Sequence, residues 1–371
     1  MNTKRIGAAA TLALAGSLSL AACGSASNGG STTSSSSTGA SDTASSSCGT
    51  APIKSSGSTA QQNAMDQAIA AYTAKCASAK VTYNGVGSGQ GITDFIGKQT
   101  AFAGSDSALS PDKGEPAKAQ AACGSPAWDL PMVVGPIAVV YNVKGVNKLV
   151  LTPDLIAKIF SGKITKWDDP AIAAKNSGVS LPATPISVFF RSDSSGTTDN
   201  FTKYMNTVDP TDWPTKHNKS WDGKVGQGKP KSAGVGQAVQ ATDGGITYAE
   251  WSYAIVNKLN MAELDSGAGP VALTPETAGK AIAAATQTGT GNDLSLKLDY
   301  KTKAAGVYPI VLATYEIVCS KYADPTVAAN VKAFLTYMAS SEFQGTLASV
   351  GSAPLPPAFQ TKVQAAIQAI S

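Results

Sequence analysis

The apolar run at residues 130–143, LPMVVGPIAVVYNV, is the feature that most narrows the folds open to this chain. It contains no charged residue and is rich in Val and Ile, whose β-branched side chains favour strands. Strands that read as continuous apolar runs are typical of sheets covered on both faces. The run therefore predicts a buried strand.

Strand and helix patterns alternate over the rest of the chain. Residues 61–75 carry apolar side chains at helical spacing, and residues 80–86 form a strand pattern that leads into a helix-like stretch. Another strand pattern at 185–191 is also followed by a helix, and 308–319 adds a later strand. This alternation predicts an α/β fold built on mostly parallel sheets.

Length and composition exclude several classes of protein. The chain has 371 residues, enough for roughly two to three domains, and its 43% hydrophobic and 15% charged residues are unlike a disordered chain or a coiled coil. The net charge is +4, and two of the positive charges, Lys4 and Arg5, lie in the N-terminal segment, so we expect no nucleic-acid partner. With a single histidine, His217, we expect neither a metal nor a cofactor.

Residues 1–22 have the pattern of a bacterial export signal. Two basic residues precede an apolar run at 6–15, and small residues lead to Cys23. The sequence Leu-Ala-Ala-Cys resembles the lipobox of bacterial lipoproteins, in which the cysteine is acylated, for example with palmitate, and becomes the new N-terminus. Residues 23–47, rich in Ser, Thr and Gly, then predict a flexible tether that holds the folded body, from Cys48, outside the cell membrane. An ordinary secretory signal with an incidental cysteine is the alternative.

Four cysteines remain beyond Cys23, namely Cys48, Cys76, Cys123 and Cys319. In an exported chain they predict two disulfides, for which three connectivities are possible. Neither a CxxC spacing nor a histidine cluster supports a metal site instead.

Turns rich in Ser, Thr and Gly follow the predicted strands. Helix starts offer unpaired N–H groups and a positive dipole end, glycine lets the backbone approach a ligand, and hydroxyls add donors. Several such turns that converge would form a cradle for an oxyanion, although each one alone also fits an ordinary helix cap. The turns lie at residues 57–60, 87–91, 105–107 and 191–198.

Arg191 is the only arginine outside the N-terminal segment. It ends a predicted strand, and its planar guanidinium suits a bidentate contact with a tetrahedral oxyanion. Asp193 is placed to orient it. The alternative is a surface arginine that pairs with a neighbouring acid, although every other formal positive charge of the body is a lysine.

Four segments stand out as motifs: TYNGVGSGQG at 82–91, FAGSD at 102–106, ITKWDDP at 164–170 and RSDSSGT at 191–197. They closely resemble the extracytoplasmic phosphate-binding proteins of bacterial phosphate ABC importers. The resemblance runs from about Ile53 to the C-terminus and is most specific at the arginine motif. It implies a lipid-anchored, monomeric receptor that binds inorganic phosphate and delivers it to the permease subunits, and it implies no enzymatic activity.

The family has a two-lobed periplasmic binding protein fold of type II, with a ligand cleft between the lobes and two hinge strands that cross between them. The resemblance implies a first lobe of residues 48–134 and 308–371 and a second lobe of residues 135–307. We expect the hinge strands to cross near 134–135 and 307–308.

The resemblance also assigns phosphate contacts to all four turns. The family often has an aromatic residue where Ala60 stands, so a contact there would come from the backbone N–H. Gly89-Gln90 replaces the Ser-Gly pair of many relatives. The implied contacts are Thr59, Ala60, Ser88, Asp106, Arg191, Asp193, Ser195, Gly196 and Thr197.

Asp106 has a chemical reason to stand beside a bound anion. Phosphate at neutral pH keeps a P–OH proton that a carboxylate can accept, whereas sulfate would bring two acceptors face to face. A site built on such a buried hydrogen bond can reject the analogue that lacks it by roughly 10⁴–10⁵. We therefore predict phosphate over another oxyanion such as sulfate or molybdate. Taken alone, Asp106 also fits an Asx turn at a strand end.

The family fold also orders the cysteines. Its ligand loops lie at the carboxyl ends of the strands, and the opposite edge of the first lobe collects all four cysteines. Neighbours along that edge imply the pairs Cys48–Cys76 and Cys123–Cys319.

Two other function classes remain as alternatives. A secreted phosphatase or serine hydrolase could use Ser195 as nucleophile and His217 as base. However, the chain lacks a Gly-x-Ser-x-Gly elbow, and the polar stretch at 212–221 that contains His217 predicts an exposed loop. A structural or adhesive lipoprotein is the other alternative.

Overall fold

A computed structural model of the protein describes residues 48–371. The export signal at 1–22, the acylation site Cys23 and the tether at 23–47 lie outside the described residues, so these assignments stay predictions. Over residues 48–371, none of the helices combines the length and the apolar character needed to cross a membrane.

All but the last residue of the apolar run at 130–143 lies within one long strand, Ala127–Asn142, which is buried over nearly its whole length, as predicted. In chain order the strands are β1 Pro52–Gly57, β2 Lys80–Gly85, β3 Phe102–Ser105, β4 Ala127–Asn142, β5 Val150–Leu151, β6 Ser187–Arg191, β7 Gln227–Lys229, β8 Gly245–Glu250, β9 Asn260–Met261, β10 Glu263–Asp265, β11 Pro270–Val271, β12 Thr286–Gln287, β13 Leu296–Lys297 and β14 Val311–Cys319.

Helices alternate with many of these strands, and short 3-10 turns occur at Pro111–Lys113 and Leu347–Val350. In chain order the α-helices are α1 Gln62–Lys75, α2 Ser88–Ile96, α3 Glu115–Cys123, α4 Pro153–Phe160, α5 Pro170–Lys175, α6 Gly196–Val208, α7 Lys231–Gln240, α8 Trp251–Val256, α9 Pro275–Ala283, α10 Pro325–Met338, α11 Ser341–Gln344 and α12 Pro357–Gln368.

Several helices begin at a capping side chain that is followed by proline. Thr152 accepts the Leu155 N–H at 3.4 Å, and Asp324 accepts the Thr326 N–H at 2.7 Å. Such a cap satisfies one free N–H group of the first turn, and the proline has no N–H to leave unpaired. The local sequence therefore determines where these helices start.

One large sheet has the strand order β2-β1-β3-β14-β4-β8-β6-β7, with β9 beside β4. Its outer parts, β1 to β3 and β6 to β8, are parallel, which agrees with the predicted α/β class. Its centre is antiparallel, because β4 pairs with β14 along residues 127–136 and then with β8 along 137–142. β4 therefore joins the two parallel parts of the sheet.

Two apolar cores lie along this sheet and make the fold two-lobed. The first core includes Met65, Phe102 and Phe334, and the second core includes Trp167 and Phe201. Each core belongs to one parallel part of the sheet and its covering helices. The two-lobed α/β architecture expected from the family resemblance is confirmed.

The chain changes from one core to the other along the two central strands. On β4, Val134 belongs to the first core and Ile137 to the second, while on β14 Leu312 belongs to the second core and Ala313 to the first. The change on β14 comes later than the expected hinge crossing, because Tyr308 is buried in the second core and its hydroxyl donates to the Ile137 carbonyl at 2.9 Å.

The segment before β14 also passes between the lobes. Ile282 and Leu294 pack into the first core although they lie within the expected second lobe. Ser295 Oγ donates to Asp129 on β4 at 3.2 Å, while Tyr300 is buried in the second core. The precise lobe boundaries therefore stay a prediction.

Disulfides join Cys48 to Cys76 and Cys123 to Cys319, the two pairs that the family fold implied. The first ties the chain before β1 to the residue that follows α1, and the second ties the end of α3 to the end of β14. Both disulfides crosslink elements of the first lobe.

Loss of the Cys123–Cys319 disulfide should destabilise the protein more than loss of Cys48–Cys76. A disulfide restricts the unfolded chain more as the loop it closes lengthens, and the sequence separations are 196 and 28 residues. We expect double Cys→Ser variants to lose about 5 kcal/mol for the long loop and about 3–4 kcal/mol for the short one, measured by equilibrium urea unfolding. Equal losses, or a larger loss for the short loop, would contradict this.

Candidate functional site

Arg191 ends β6, and only 2% of its side chain is exposed. Its Nε donates to Asp193 Oδ1 at 2.7 Å, and its Nη2 donates to the other oxygen of that carboxylate. Its Nη1 donates to Ser232 Oγ at 3.3 Å. The Lys231 N–H donates to Asp193 Oδ1 at 2.8 Å, so the carboxylate that orients the guanidinium is itself fixed.

This ion pair keeps both of its members charged. Burial alone would raise the pKa of the Asp193 carboxyl, but hydrogen bonds and charge attraction from Arg191 outweigh burial and hold that pKa below its ordinary value. The guanidinium stays protonated at every physiological pH. The site therefore contains a permanent, buried positive charge in a fixed orientation.

Two helices begin at this site. α6 starts after Ser195, whose Oγ accepts the Thr198 N–H at 3.2 Å, and α2 starts at Ser88. The turn expected at 87–91 is mostly the first turn of α2, and only Gly87, with a φ of 94° that favours glycine, lies outside the helix. Both helix starts place first-turn N–H groups and positive dipole ends beside the arginine motif.

Gly196 allows the two lobes to meet. A Cβ at this position would lie 2.5 Å from Ser88 Oγ and 2.6 Å from Asp106 Cβ, closer than such atoms can approach. Nearby, the Gly89 N–H donates to the Ser194 carbonyl at 3.0 Å. The start of α2 from the first lobe and the start of α6 from the second lobe therefore abut.

Asp106 follows β3 and is 3% exposed. Ser58 Oγ and Thr314 Oγ1 donate to its Oδ1 at 2.5 and 2.8 Å, and Ser88 Oγ donates to its Oδ2 at 3.1 Å. Burial raises the pKa of Asp106 to about 6; the hydroxyl donors oppose this rise, and the charge of Glu250 adds to it. At neutral pH the carboxylate is thus mostly ionised and can accept a proton.

The first turn is engaged with its protein neighbours. Thr59 Oγ1 lies 2.7 Å from Ser232 Oγ on α7, which links the two lobes. The Ala60 N–H, which was expected to contact a ligand, donates to Ser58 Oγ at 2.9 Å. The turn at 57–60 therefore lies at the site. Its hydrogen bonds are made to other protein groups, and the sequence did not predict these partners.

Several buried polar residues at the site were not predicted. Ser58 lies in the predicted turn at 57–60, so the sequence did contain a signal for it. The remaining members stand far from the four turns along the chain. The set is Ser58, Ser232, Tyr248, Glu250 and Thr314.

His217 is exposed, as expected, and its Nδ1 lies 2.7 Å from Asp199 Oδ1. The polar stretch around it is only partly an exposed loop, because Trp213 and Lys219 are buried. Ser195 Oγ serves as the cap of α6. Within residues 48–371, no group of three or more His, Cys, Asp or Glu side chains could hold a metal ion.

A cavity of about 400 Å³ opens beside Asp106. Ser107 Oγ donates to Asp199 Oδ2 at 2.6 Å, and Asn200 Nδ2 donates to the Asp106 carbonyl at 2.6 Å; all four residues line the cavity. Both hydrogen bonds join the first lobe to α6. The buried site thus adjoins open space at Asp106.

The sequence has close relatives of known type. A family profile described as a PBP superfamily domain matches residues 29–342. The chain is 49% identical to the phosphate-binding protein PstS 2 of Mycobacterium tuberculosis, over 100% of both chains. It is 46% identical to the phosphate-binding protein PstS 3 of Mycobacterium leprae, again over 100% of both chains.

Solved structures share the fold. A high affinity periplasmic phosphate-binding protein, PfluDING, bound with phosphate, aligns with a TM-score of 0.71 and 24% identity over 85% of this chain and 93% of its own. A phosphate-binding protein from Stenotrophomonas maltophilia aligns with a TM-score of 0.65 and 20% identity over 85% of this chain and 93% of its own. At these identities the likeness concerns the fold.

Asp106 should make the free energy of unfolding depend on pH. Burial raises its pKa from 3.8 to about 6, so the folded state binds this proton more tightly than the unfolded state does. The resulting stabilisation is complete below about pH 4 and is lost as the pH rises through about 6. We expect the free energy of unfolding, measured with urea in phosphate-free buffer, to fall between pH 4 and pH 7. The fall should be about 2–3 kcal/mol smaller for Asp106→Asn than for the unaltered protein.

Asp112→Asn is the matched control, because Asp112 is an exposed acid that follows the same strand. Its pH dependence should follow that of the unaltered protein. An Asp106→Asn variant with an undiminished pH dependence would show that Asp106 is not the group responsible.

Proposed function

The chain belongs to the PBP superfamily and, by full-length identity, to its PstS phosphate-binding proteins, and from this membership we propose that it captures inorganic phosphate between its lobes and delivers it to the permease of an ABC importer. The observation that carries the proposal is the buried Arg191, oriented by Asp193, together with the buried Asp106 at the junction of the two lobes. An oriented guanidinium supplies charge and paired donors, and a buried carboxylate supplies a proton acceptor. This combination suits a tetrahedral anion that keeps a proton.

The proposed ligand set comes from both lobes. The starts of α2 and α6 supply N–H groups with positive dipole ends, so neutral dipoles share the anion's charge with Arg191. Asp193 acts by holding the guanidinium in position. The set is Thr59, Ala60, Ser88, Asp106, Arg191, Asp193, Ser195, Gly196 and Thr197.

Ligand capture would stabilise a closed arrangement of the lobes. Hydrogen bonds from Gly89 to Ser194 and from Asn200 to Asp106 support this, because each joins the first lobe to the second at the site. A ligand that contacts both lobes favours the closed state by its differential affinity. For this hinge motion we retain residues 48–134 with 308–371 as one lobe and residues 135–307 as the other.

At the N-terminus we propose that residues 1–22 are removed and that Cys23 is acylated. The support is the Leu-Ala-Ala-Cys pattern together with membership of a family of extracytoplasmic receptors. Residues 23–47 would then tether a monomeric receptor to the outer face of the cell membrane, within reach of its permease.

The family is one of transport receptors and not of enzymes. The side chains that could have suggested hydrolysis have other partners: Ser195 Oγ caps α6, and His217 Nδ1 contacts Asp199. The protein therefore holds its ligand without converting it.

Calorimetric titration tests this function. The protein, dialysed free of phosphate, should bind phosphate tightly, and sulfate should bind at least roughly 10⁴-fold more weakly because it has no proton for Asp106. Asp106→Asn removes the acceptor of that proton and should weaken phosphate binding by roughly 10–100-fold, the usual effect of a lost hydrogen bond to a charged group. It should also narrow the preference over sulfate.

Asp112→Asn serves again as the control and should bind phosphate as the unaltered protein does. A folded, ligand-free protein that fails to bind phosphate would refute the proposed function. A preference for sulfate would retain the fold but assign the receptor to another oxyanion.

A further inference from the structure

Glu250, the last residue of β8, is a buried acid that the proposed ligand set does not include. Its side chain is 2% exposed. Its Oε1 accepts a hydrogen bond from Thr197 Oγ1 and lies 3.7 Å from Arg191 Nη1. Its Oε2 has no hydrogen-bond partner among the described residues. Glu250 therefore contacts two members of the proposed ligand set, Thr197 and Arg191, without belonging to the set.

The contact with Glu250 determines what Thr197 can offer a ligand. A hydroxyl has one hydrogen, and an ionised carboxylate can only accept. Because Thr197 donates its hydrogen to Glu250, its oxygen can only accept a hydrogen bond from a ligand. A bare phosphate oxygen has no proton to donate, whereas a P–OH group does, so Thr197, like Asp106, favours a protonated ligand oxygen.

The charges around Glu250 act in the same direction. Arg191 from β6 is the cation that faces it, while Asp193 follows β6 and Asp106 follows β3. Tyr248, on the same strand as Glu250, is uncharged because burial raises its pKa to about 12. The site thus holds one guanidinium and three carboxylates, two of which contact the guanidinium, and this balance of charge disfavours each further negative charge on a ligand.

We propose that Glu250 is a positioning residue that makes the cleft select the dihydrogen monoanion of phosphate. The monoanion carries two P–OH groups, one for Asp106 and one for Thr197, and a single negative charge for Arg191. The monohydrogen dianion has one P–OH group and an added charge. The inference rests on the proposed function and names the protonation state of the ligand.

Proton uptake on binding tests this inference. Above neutral pH free phosphate is mostly the dianion, so a cleft that selects the monoanion takes up nearly one proton from solution for each phosphate bound. Affinity should then fall by roughly 10–20-fold between pH 6.5 and pH 8.5. Calorimetric titration of phosphate in buffers of different ionisation enthalpy measures both quantities.

Glu250→Gln should reduce this coupling, because it removes one negative charge and lets the Thr197 hydroxyl turn its hydrogen to the ligand. We expect proton uptake at pH 8.5 to fall to about half or less and the change in affinity between the two pH values to shrink to roughly threefold. Thr197→Val removes the hydroxyl but leaves the Glu250 charge, and it should also lower the uptake.

Glu263→Gln is the matched control, since Glu263 is a second-lobe acid that pairs with Lys148 at 3.4 Å. It should take up protons as the unaltered protein does. Negligible uptake by the unaltered protein at pH 8.5, or undiminished uptake in Glu250→Gln and in Thr197→Val, would overturn the inference. Should Glu250→Gln fail to fold, the unaltered protein and Thr197→Val still decide it. An unaltered protein that binds no phosphate at either pH would instead refute the proposed function.

Discussion

A guanidinium held away from water is the constraint on which the rest of this site depends. Arg191 is 2% exposed, and an unpaired charge in such a place costs several kcal/mol. Asp193 offsets this cost with two hydrogen bonds and is itself held by the Lys231 N–H. Because Asp193 and Ser232 fix the orientation of the guanidinium, Arg191 can bind a ligand without first changing its conformation.

Close approach of the lobes is the second requirement. Gly196 has no side chain to separate α6 from Ser88 and Asp106, and hydroxyls from both lobes fill the junction. The long strands β4 and β14 connect this junction to both apolar cores. The packing of each lobe therefore positions one side of the site, and the central strands set how the two sides meet.

The sequence predicted the elements better than it predicted the contacts. Local periodicity reflects the burial of one face, so the strand at 130–143 and the helix at 61–75 were readable. The segment 87–91 was predicted as a turn, but α2 already begins at Ser88, directly after Gly87 with its φ of 94°. Asp193 was readable as the partner of Arg191 because it lies two residues away along one turn.

Three things about this protein were determined by its sequence alone: the α/β class, the turns of small and hydroxyl residues that follow strands, and the single arginine outside the N-terminal segment with its neighbouring acid. They were readable because each depends on residues close together in the chain. Only the tertiary structure decided that Glu250 and Ser232 stand behind Arg191, that Ser58 and Thr314 hold Asp106, and that the chain before β14 crosses between the lobes. Such contacts join residues from distant strands, and they exist only once the burial of two cores has brought those strands into one sheet.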